Sequence, residues 1–354
     1  MFLALNEIYR SKLRYILVVG VMLLIAYLVF FLTGLSYGLA QKYQTSINKW
    51  GANNIILSSS ANYILNTSEI SQTDYTKIKA ANKAALLETP AVIFGKSGTS
   101  NKINVSFFGI NANGFLKPNL SSGRIFKGKN EVVVDNSLKS QYHFSLGETI
   151  KLSGNNQKLK IVGFTNQAEY TATPVLYMSY QTYQNLKVSP SSGKSQAYNA
   201  VITKGKLSKI PSGLDKLTIS QFVYKLPGFN AQVLTFGFMI GFLVVIAAVV
   251  IGIFIYVLTM QKISIFGIMK AQGIPNSYIS KSVVAQTFFL ALFGVALGLI
   301  MALGTALILP QAVPFQVNTL FFIGISSLMV GVAVLGSLFS ITAILKIDPL
   351  KAIS

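Results

Sequence analysis

Three long stretches of this sequence contain no charged residue: residues 15–41, 226–261 and 282–345. A helix needs roughly 20 apolar residues to cross a bilayer, so the first two stretches can each hold one spanning helix. The third is long enough for two, separated by a polar, proline-containing turn at 310–318. The chain is therefore predicted to be a membrane protein with four transmembrane helices and one large polar segment between the first and the second.

The distribution of charge sets the predicted boundaries. The polar segment carries 22 basic and 8 acidic residues between positions 42 and 225. The predicted segments are a cytoplasmic interfacial helix at 1–14, transmembrane helix 1 at 15–41, an extracytoplasmic α+β domain at 42–231, transmembrane helix 2 at 232–260, a cytoplasmic coupling segment at 261–282, transmembrane helix 3 at 283–309, an outer turn at 310–318, transmembrane helix 4 at 319–344 and a cytoplasmic tail at 345–354.

The composition excludes several classes of protein. Only 11% of the residues are charged and 52% are hydrophobic, whereas about a quarter of a soluble globular chain is charged, so an ordinary soluble enzyme is not expected. The net charge of +20 would suggest a nucleic-acid partner in a soluble chain. Here the charges lie in the membrane flanks and in the inserted segment, so no nucleic acid is expected.

The short basic flanks predict the orientation. Clusters of Lys or Arg precede helix 1, separate helices 2 and 3, and follow helix 4, whereas the 310–318 turn carries no charge. Because positive flanks face the cytoplasm, both termini are predicted to be cytoplasmic. The first charge-free run is much longer than the ~7–15 residues of a signal-peptide core, so it is expected to be retained. Residues 1–14 place apolar side chains on one helical face, which predicts contact with membrane lipid.

The pattern of the polar segment predicts an α+β domain. Because the sequence has no cysteine, the domain must be stabilised by its own core and not by disulfides. Helices are predicted at Ser71–Ala84 and Tyr180–Leu186, and a hairpin turn at 153–156. Short β-rich runs predict strands at Asn54–Leu57, Ala91–Phe94, Ile103–Ile110, Glu131–Val134, Thr149–Leu152, Lys158–Phe164, Val175–Met178 and Ala200–Thr203.

Glycines spaced four residues apart recur within the predicted membrane helices. The pairs are Gly34/Gly38, Gly237/Gly241 and Gly294/Gly298. Small residues at this spacing allow helix backbones to approach closely, so helices 1, 2 and 3 are predicted to pack against partners at these positions.

The sequence contains no complete motif for catalysis or metal binding. Residues 123–129 have phosphate-loop spacing, but Asn130 occupies the position of the magnesium-binding hydroxyl and no helical pattern follows. His143 is the sole histidine, without the partners that a metal site requires. We therefore expect no catalytic residue, no metal site and no permanently bound cofactor.

The segment 261–274 is more informative. Its pattern predicts a short amphipathic helix, ended by Gly273 and Pro275. It closely resembles the coupling segment of FtsX-like, MacB-type ABC transporter permeases, although Ile265 stands where that family usually has a glutamate. Residues 348–352 resemble the family's C-terminus, and residues 123–148 resemble its extracytoplasmic core domain.

Together the resemblance covers essentially the whole chain, and it implies a transport subunit of a bacterial cell membrane. The subunit would have a separately encoded cytosolic ATPase as its partner, with ATP bound there, and would pair with a second permease copy. The residues implied to couple to the ATPase are Lys262, Phe266, Gly267, Lys270 and Gly273.

Within the family, the chain most resembles the haem-efflux permeases of HrtB type, through the 261–273 segment, the short outer domain and the 170–174 run. This implies haem as the substrate, taken from the outer leaflet between helices 1 and 2 of the dimer and expelled by mechanotransmission when ATP binds. Tyrosine can ligate haem iron. The haem-binding candidates near the outer membrane surface are Tyr170, Tyr224, Tyr37 and Tyr43 as ligands, and Phe30 and Phe31 as stacking surfaces.

Two other functions remain open at this point. The same machinery could export peptides or antibiotics, as MacB-type permeases do, or it could act as an FtsX-like mechanical relay that controls a cell-wall hydrolase. An aromatic ring of side chains near the outer leaflet favours a transporter, because a pure relay does not require one.

Overall fold

The computed structural model describes residues 12–96, 98–154, 157–186, 197–310 and 312–345. The chain divides into two compact units. One, the membrane unit, comprises residues up to Gly38 and from Val233 onward; the other, the inserted domain, comprises Leu39–Gln232. Most of the predicted interfacial helix at 1–14 lies outside the described residues. The C-terminal motif at 348–352 lies entirely outside them.

Long apolar helices build the membrane unit. Within the described residues, four helices are long and apolar enough to cross a membrane: Tyr15–Asn48, Phe229–Met260, Asn276–Ile308 and Thr319–Leu338. The complete helices, with the short one that links the second to the third, are α1 Lys12–Asn48, α6 Phe229–Met260, α7 Ile263–Ala271, α8 Asn276–Ile308 and α9 Thr319–Leu345. Helices α1, α6 and α8 extend beyond the predicted spans, since polar residues at their ends continue the helix.

The glycine pairs behave differently from one another. A Cβ atom on Gly294 would lie 2.6 Å from Met22 Cγ, and one on Gly298 would lie 2.7 Å from Ala26 Cβ, so α8 crosses α1 at close range. A Cβ atom on Gly38 would overlap the carbonyl of Pro314, which belongs to the turn before α9. The prediction of close packing is confirmed at these positions. It is wrong for Gly237/Gly241 within this chain, because no atom of the described residues lies within 4 Å of either added Cβ.

The inserted domain is an α+β fold, as predicted. Its helices are α2 Gln72–Lys77, α3 Ser137–Ser140, α4 Tyr180–Asn185 and α5 Ile219–Lys225. Its strands are β1 Asn54–Ser58, β2 Ile70–Ser71, β3 Lys79–Gly95, β4 Gly98–Ile110, β5 Leu120–Gly123, β6 Glu131–Asp135, β7 Thr149–Lys151, β8 Lys158–Thr165, β9 Glu169–Tyr170, β10 Thr173–Ser179, β11 Ala197–Tyr198, β12 Ala200–Lys209 and β13 Leu214–Thr218.

Most of these strands form one mixed sheet in the order β13, β1, β12, β3, β4, β10, β6, β8, β5. Strand β10 runs parallel to β4, and β6 runs parallel to β8, while β3 pairs antiparallel with both β12 and β4. One face of the sheet carries the larger apolar core, which includes Phe107, Val134 and Leu176. The other face carries Phe108, whose ring contacts Trp50, Tyr170 and Tyr177.

One element of the inserted domain was predicted wrongly. The helix expected over Ser71–Ala84 ends at Lys77, and the chain from Lys79 onward is strand β3. The side chain of Ser71 caps the helix by accepting a hydrogen bond from the Asp74 N–H. Ile78 then adopts an extended conformation, and residues 79–86 pair with β12. An alanine- and lysine-rich run that suits a helix locally is thus held as a strand by its partner.

Candidate functional site

The C-terminal end of α1 is held against the turn between β9 and β10. The N–H groups of Thr171 and Ala172 donate to the carbonyls of Tyr43 and Lys42, both at 3.2 Å. The Lys42 ammonium lies 3.4 Å from a carboxylate oxygen of Glu169. Both turn residues have positive φ, at 47° and 60°, which costs energy for residues other than glycine. This turn is therefore held by its contacts with the helix.

Tyr170 lies at this turn and is buried, with 5% of its surface exposed. Its ring centroid is 5.4 Å from that of Phe108. Burial, followed by the nearby Glu88, raises the pKa of the Tyr170 phenol well above its ordinary value. The side chain is thus a neutral phenol packed on the sheet.

A cavity of about 540 Å³ opens beside Tyr170. Tyr43 of α1 also lines it, as does Pro227, which precedes α6. The structure therefore brings two of the four candidate tyrosines to one cavity of the inserted domain, together with the strand residues Glu88 and Ser106.

Glu88 is the carboxylate of this cavity, and sequence reasoning missed it. Only 4% of its surface is exposed, and burial raises the pKa of its carboxyl to about 8. The signal in the sequence was an acidic residue placed directly after the apolar run Ala84–Leu87. A carboxyl that loses its water without gaining a partner is harder to ionise, which explains the direction of the shift.

The other two candidate tyrosines lie in different surroundings. Tyr224 is 60% exposed, and its ring lies edge-on to Phe229 at 5.8 Å between centroids. Tyr43 contacts the same Phe229 ring, also at 5.8 Å. Tyr37, in the membrane unit, contacts Phe321 of α9. Tyr43, Tyr224 and Phe229 are called the Phe229 cluster below.

The two candidate phenylalanines pack inside the membrane unit. Phe30 is fully buried and stacks on Phe322 of α9, with 5.4 Å between ring centroids. Phe31 is half-buried beside Tyr27 and Phe315. In this structure the face of Phe30 is therefore occupied by a protein side chain.

The predicted coupling segment contains helix α7, and its side chains divide into two sets. Phe266 and Gly267 are buried, with Phe266 part of the apolar core of the membrane unit. Ile265 and Ile268, by contrast, are 55% and 47% exposed. Gly273 has φ of 81°, and its N–H donates to the Lys270 carbonyl, which ends the helix.

Lys262, at the start of α7, points inward. Its ammonium donates to the Tyr15 hydroxyl at 2.8 Å, and the side-chain amide of Gln286 donates to the same oxygen. Lys262 is therefore only partly exposed. One buried hydroxyl joins α1, the start of α7 and α8.

No group of three or more His, Cys, Asp or Glu side chains that could hold a metal ion occurs in the described part of the chain. The chemistry available is that of phenols, aromatic faces, lysines and one buried carboxyl. These groups can bind an amphipathic molecule.

Comparison with known proteins decides the family. A family model described as "MacB-like periplasmic core domain" matches residues 16–205, and one described as "FtsX-like permease C-terminal" matches residues 237–349. The chain belongs to the FtsX-like, MacB-type family of ABC transporter permeases. The family predicted from the sequence is confirmed, and the permease is a transport subunit.

Relatives of the permease match over its whole length. A protein of Staphylococcus epidermidis named "Putative hemin transport system permease protein HrtB" is 27% identical, and the match covers 100% of this chain and 99% of the relative. A protein of Staphylococcus haemolyticus with the same name is 26% identical with the same coverage. An uncharacterized ABC transporter permease of Mycobacterium bovis is 23% identical, with 99% of each chain covered.

Proposed function

We propose that this permease is the membrane subunit of an ATP-driven exporter that removes haem from the membrane. The observation that carries the proposal is the match over the entire chain to staphylococcal proteins named as hemin transport permeases. Both the inserted domain and the helices fall within that match.

The Phe229 cluster supplies suitable chemistry for haem. A tyrosine oxygen can ligate ferric haem iron, and aromatic rings stack on the porphyrin. Tyr224 is 60% exposed, so its hydroxyl is accessible to a ligand. Lys225, beside it in sequence, is exposed above the Tyr63 ring at 3.6 Å and supplies a positive charge for a propionate.

Tyr170 fits the role of iron ligand less well. Its phenol is buried and resists ionisation, and a phenolate is the form that binds ferric iron. Lys42 is paired with Glu169, so its charge is already balanced. In this proposal Tyr224 and Tyr43 contact the haem, and Tyr170 holds the turn that fastens α1.

The proposal includes a cytosolic ATPase and a second copy of the permease. The exposed face of α7, formed by Ile265 and Ile268, is an apolar surface on which an ATPase can dock. The buried Phe266 and the Lys262–Tyr15 contact attach α7 to the membrane helices. A push on α7 would therefore be transmitted to α1 and α8, which is the mechanotransmission step. The proposal also puts both termini in the cytoplasm, because the short basic flanks are expected there.

The test measures haem binding and haem resistance in the double variant Tyr43→Phe, Tyr224→Phe. The change keeps both rings and removes both hydroxyls. We expect the affinity of the purified permease for ferric haem, followed by the Soret band, to fall by about tenfold or more, as loss of a metal-site contact typically does. Cells that rely on the variant should become more sensitive to haem at an unchanged level of protein.

Tyr278→Phe is the matched control, because Tyr278 is a half-exposed tyrosine at the start of α8. It should bind haem as the wild type does. A double variant with unchanged spectra and unchanged resistance would remove the Phe229 cluster from the site. A wild-type permease that develops no Soret band with haem would remove haem as the cargo.

A further inference from the structure

The carboxyl of Glu88 is buried without a partner. Its backbone N–H donates to the Asn199 side chain at 2.7 Å, but within the described residues the carboxyl itself makes no hydrogen bond or ion pair. A buried carboxyl without a partner is costly, and an apolar side chain of similar size would avoid that cost. The carboxyl faces a cavity large enough for a small molecule.

The lining of the cavity is selective for charge. Its walls are apolar residues of strands β3 and β4 and of the connecting segments, with the two tyrosines, Tyr43 and Tyr170. Its neutral polar groups include Asn104 and the hydroxyls of Ser106 and Thr173, which lie 2.9 Å apart. Among the described residues, Glu88 is the sole carboxylic acid in the lining, and neither lysine nor arginine is present there. An anion would find no counter-charge in this cavity.

We propose that this cavity binds an organic ammonium group, with the Glu88 carboxylate as its counter-ion and Tyr43 and Tyr170 as its aromatic walls. A carboxylate beside tyrosine rings is a favourable environment for an ammonium, because the ring faces attract the cation and the apolar walls accept its carbon body. A bare metal ion fits poorly, since a calcium site needs six or more oxygen ligands and several carboxylates. Haem fits poorly as well, because its propionates are anionic.

Binding would expel a proton from Glu88. At neutral pH the carboxyl is mostly protonated, since its pKa is about 8. The titratable group that faces it is the phenol of Tyr170, and beyond Tyr170 lies the Lys42–Glu169 pair. Tyr183, in the core on the other face of the sheet, interacts with Glu88 electrostatically. The ligand must therefore bind the ionised form, and its apparent affinity should rise about tenfold per pH unit below pH 8 and level off above it.

Tryptamine is a suitable probe, because it joins an ammonium to an aromatic body. Its matched control is tryptophol, which has a hydroxyl in place of the amine. Calorimetric titration of the full-length purified permease at pH 8 should show tryptamine binding at least tenfold more tightly than tryptophol. Titration at pH 7 in phosphate and in Tris should show the release of nearly one proton for each tryptamine bound.

The variant Glu88→Gln tests the counter-ion, and Glu69→Gln, at an exposed carboxylate, is its control. We expect tryptamine affinity to fall at least tenfold in Glu88→Gln and to remain unchanged in Glu69→Gln. The wild-type pH profile is an independent measurement if the first variant does not fold. Displacement of tryptamine by dihexanoyl phosphatidylethanolamine would identify a lipid headgroup as the source of the ammonium, and a lack of displacement would identify a soluble amine.

Two results would overturn the proposal. These are equal affinity for tryptamine and tryptophol, and unchanged tryptamine affinity in a folded Glu88→Gln variant. Neither the probe nor the readout involves haem transport, so failure here leaves the proposed function standing.

Discussion

At the scale of single residues, Glu88 makes the stability of the inserted domain depend on pH. Burial raises the pKa of its carboxyl from 4.5 to about 8, so the folded chain holds this proton more tightly than the unfolded chain does. The resulting stabilisation is complete below pH 4.5 and is lost as pH rises through 8. We expect the free energy of unfolding of the wild type to fall by on the order of a few kcal/mol between pH 5 and pH 9, and Glu88→Gln to abolish this fall.

Thermal unfolding of the purified permease at pH 5, 7 and 9 measures this effect. The wild type and Glu88→Gln should unfold at similar temperatures at pH 5, and the variant should be the more stable at pH 9. Glu69→Gln should follow the wild type at every pH, since that side chain is exposed. Parallel pH profiles for the wild type and Glu88→Gln would show that the carboxyl is hydrated in solution.

The type and position of a residue in the sequence do not show whether its side chain is buried. Tyr170, Tyr43 and Tyr224 were named from their types and positions, but burial separates them. Tyr170 packs on the sheet, whereas Tyr224 is exposed. The Tyr15 hydroxyl between Lys262 and Gln286 joins positions far apart in sequence, and no local pattern indicates that contact.

At the scale of elements, the crossing of α1 and α8 depends on the absence of a side chain at Gly298. An added Cβ would lie 2.7 Å from Ala26 Cβ and 2.9 Å from both the Leu23 carbonyl oxygen and the Tyr27 nitrogen. Backbone atoms cannot move aside as a flexible side chain does. We expect Gly298→Ala to destabilise the membrane unit by about 1–3 kcal/mol, the usual cost of overpacking.

The control lies on the same helix. A Cβ atom on Gly304 would meet nothing within 4 Å, so Gly304→Ala should unfold at or slightly above the wild-type temperature, because alanine favours the helix. The measurement is thermal unfolding of both variants in the same detergent. Equal unfolding temperatures for the two would show that the crossing in solution is wider than in the structure.

Secondary-structure elements were predicted correctly where consecutive residues share one environment. Long charge-free runs located the membrane helices, and β-rich runs located most strands, because both signals are carried by consecutive residues. The helix predicted over Ser71–Ala84 was wrong from Ile78 onward, since pairing with β12 outweighs local propensity. Short elements such as α5 and β13 carry few residues and were missed.

At the scale of the whole molecule, the distribution of lysine and arginine predicts which side of the membrane each unit faces. The 310–318 turn has no charge, whereas α7 is flanked by Lys262, Lys270 and Lys281. The basic side of a multi-pass protein faces the cytoplasm, so the inserted domain is expected outside. Its own positive charge does not oppose this, because long translocated domains escape the rule.

The absence of cysteine makes this orientation directly measurable, since any introduced thiol is the only one in the chain. Ser145 in the inserted domain and Ser277 at the start of α8 are both exposed, and Ser→Cys changes little in size. In intact cells an impermeant maleimide should label Ser145→Cys and leave Ser277→Cys unlabelled until the membrane is opened. The reverse pattern would place α7 outside the cell, where it could not contact a cytosolic ATPase, and the proposed mechanism of export would fail with it.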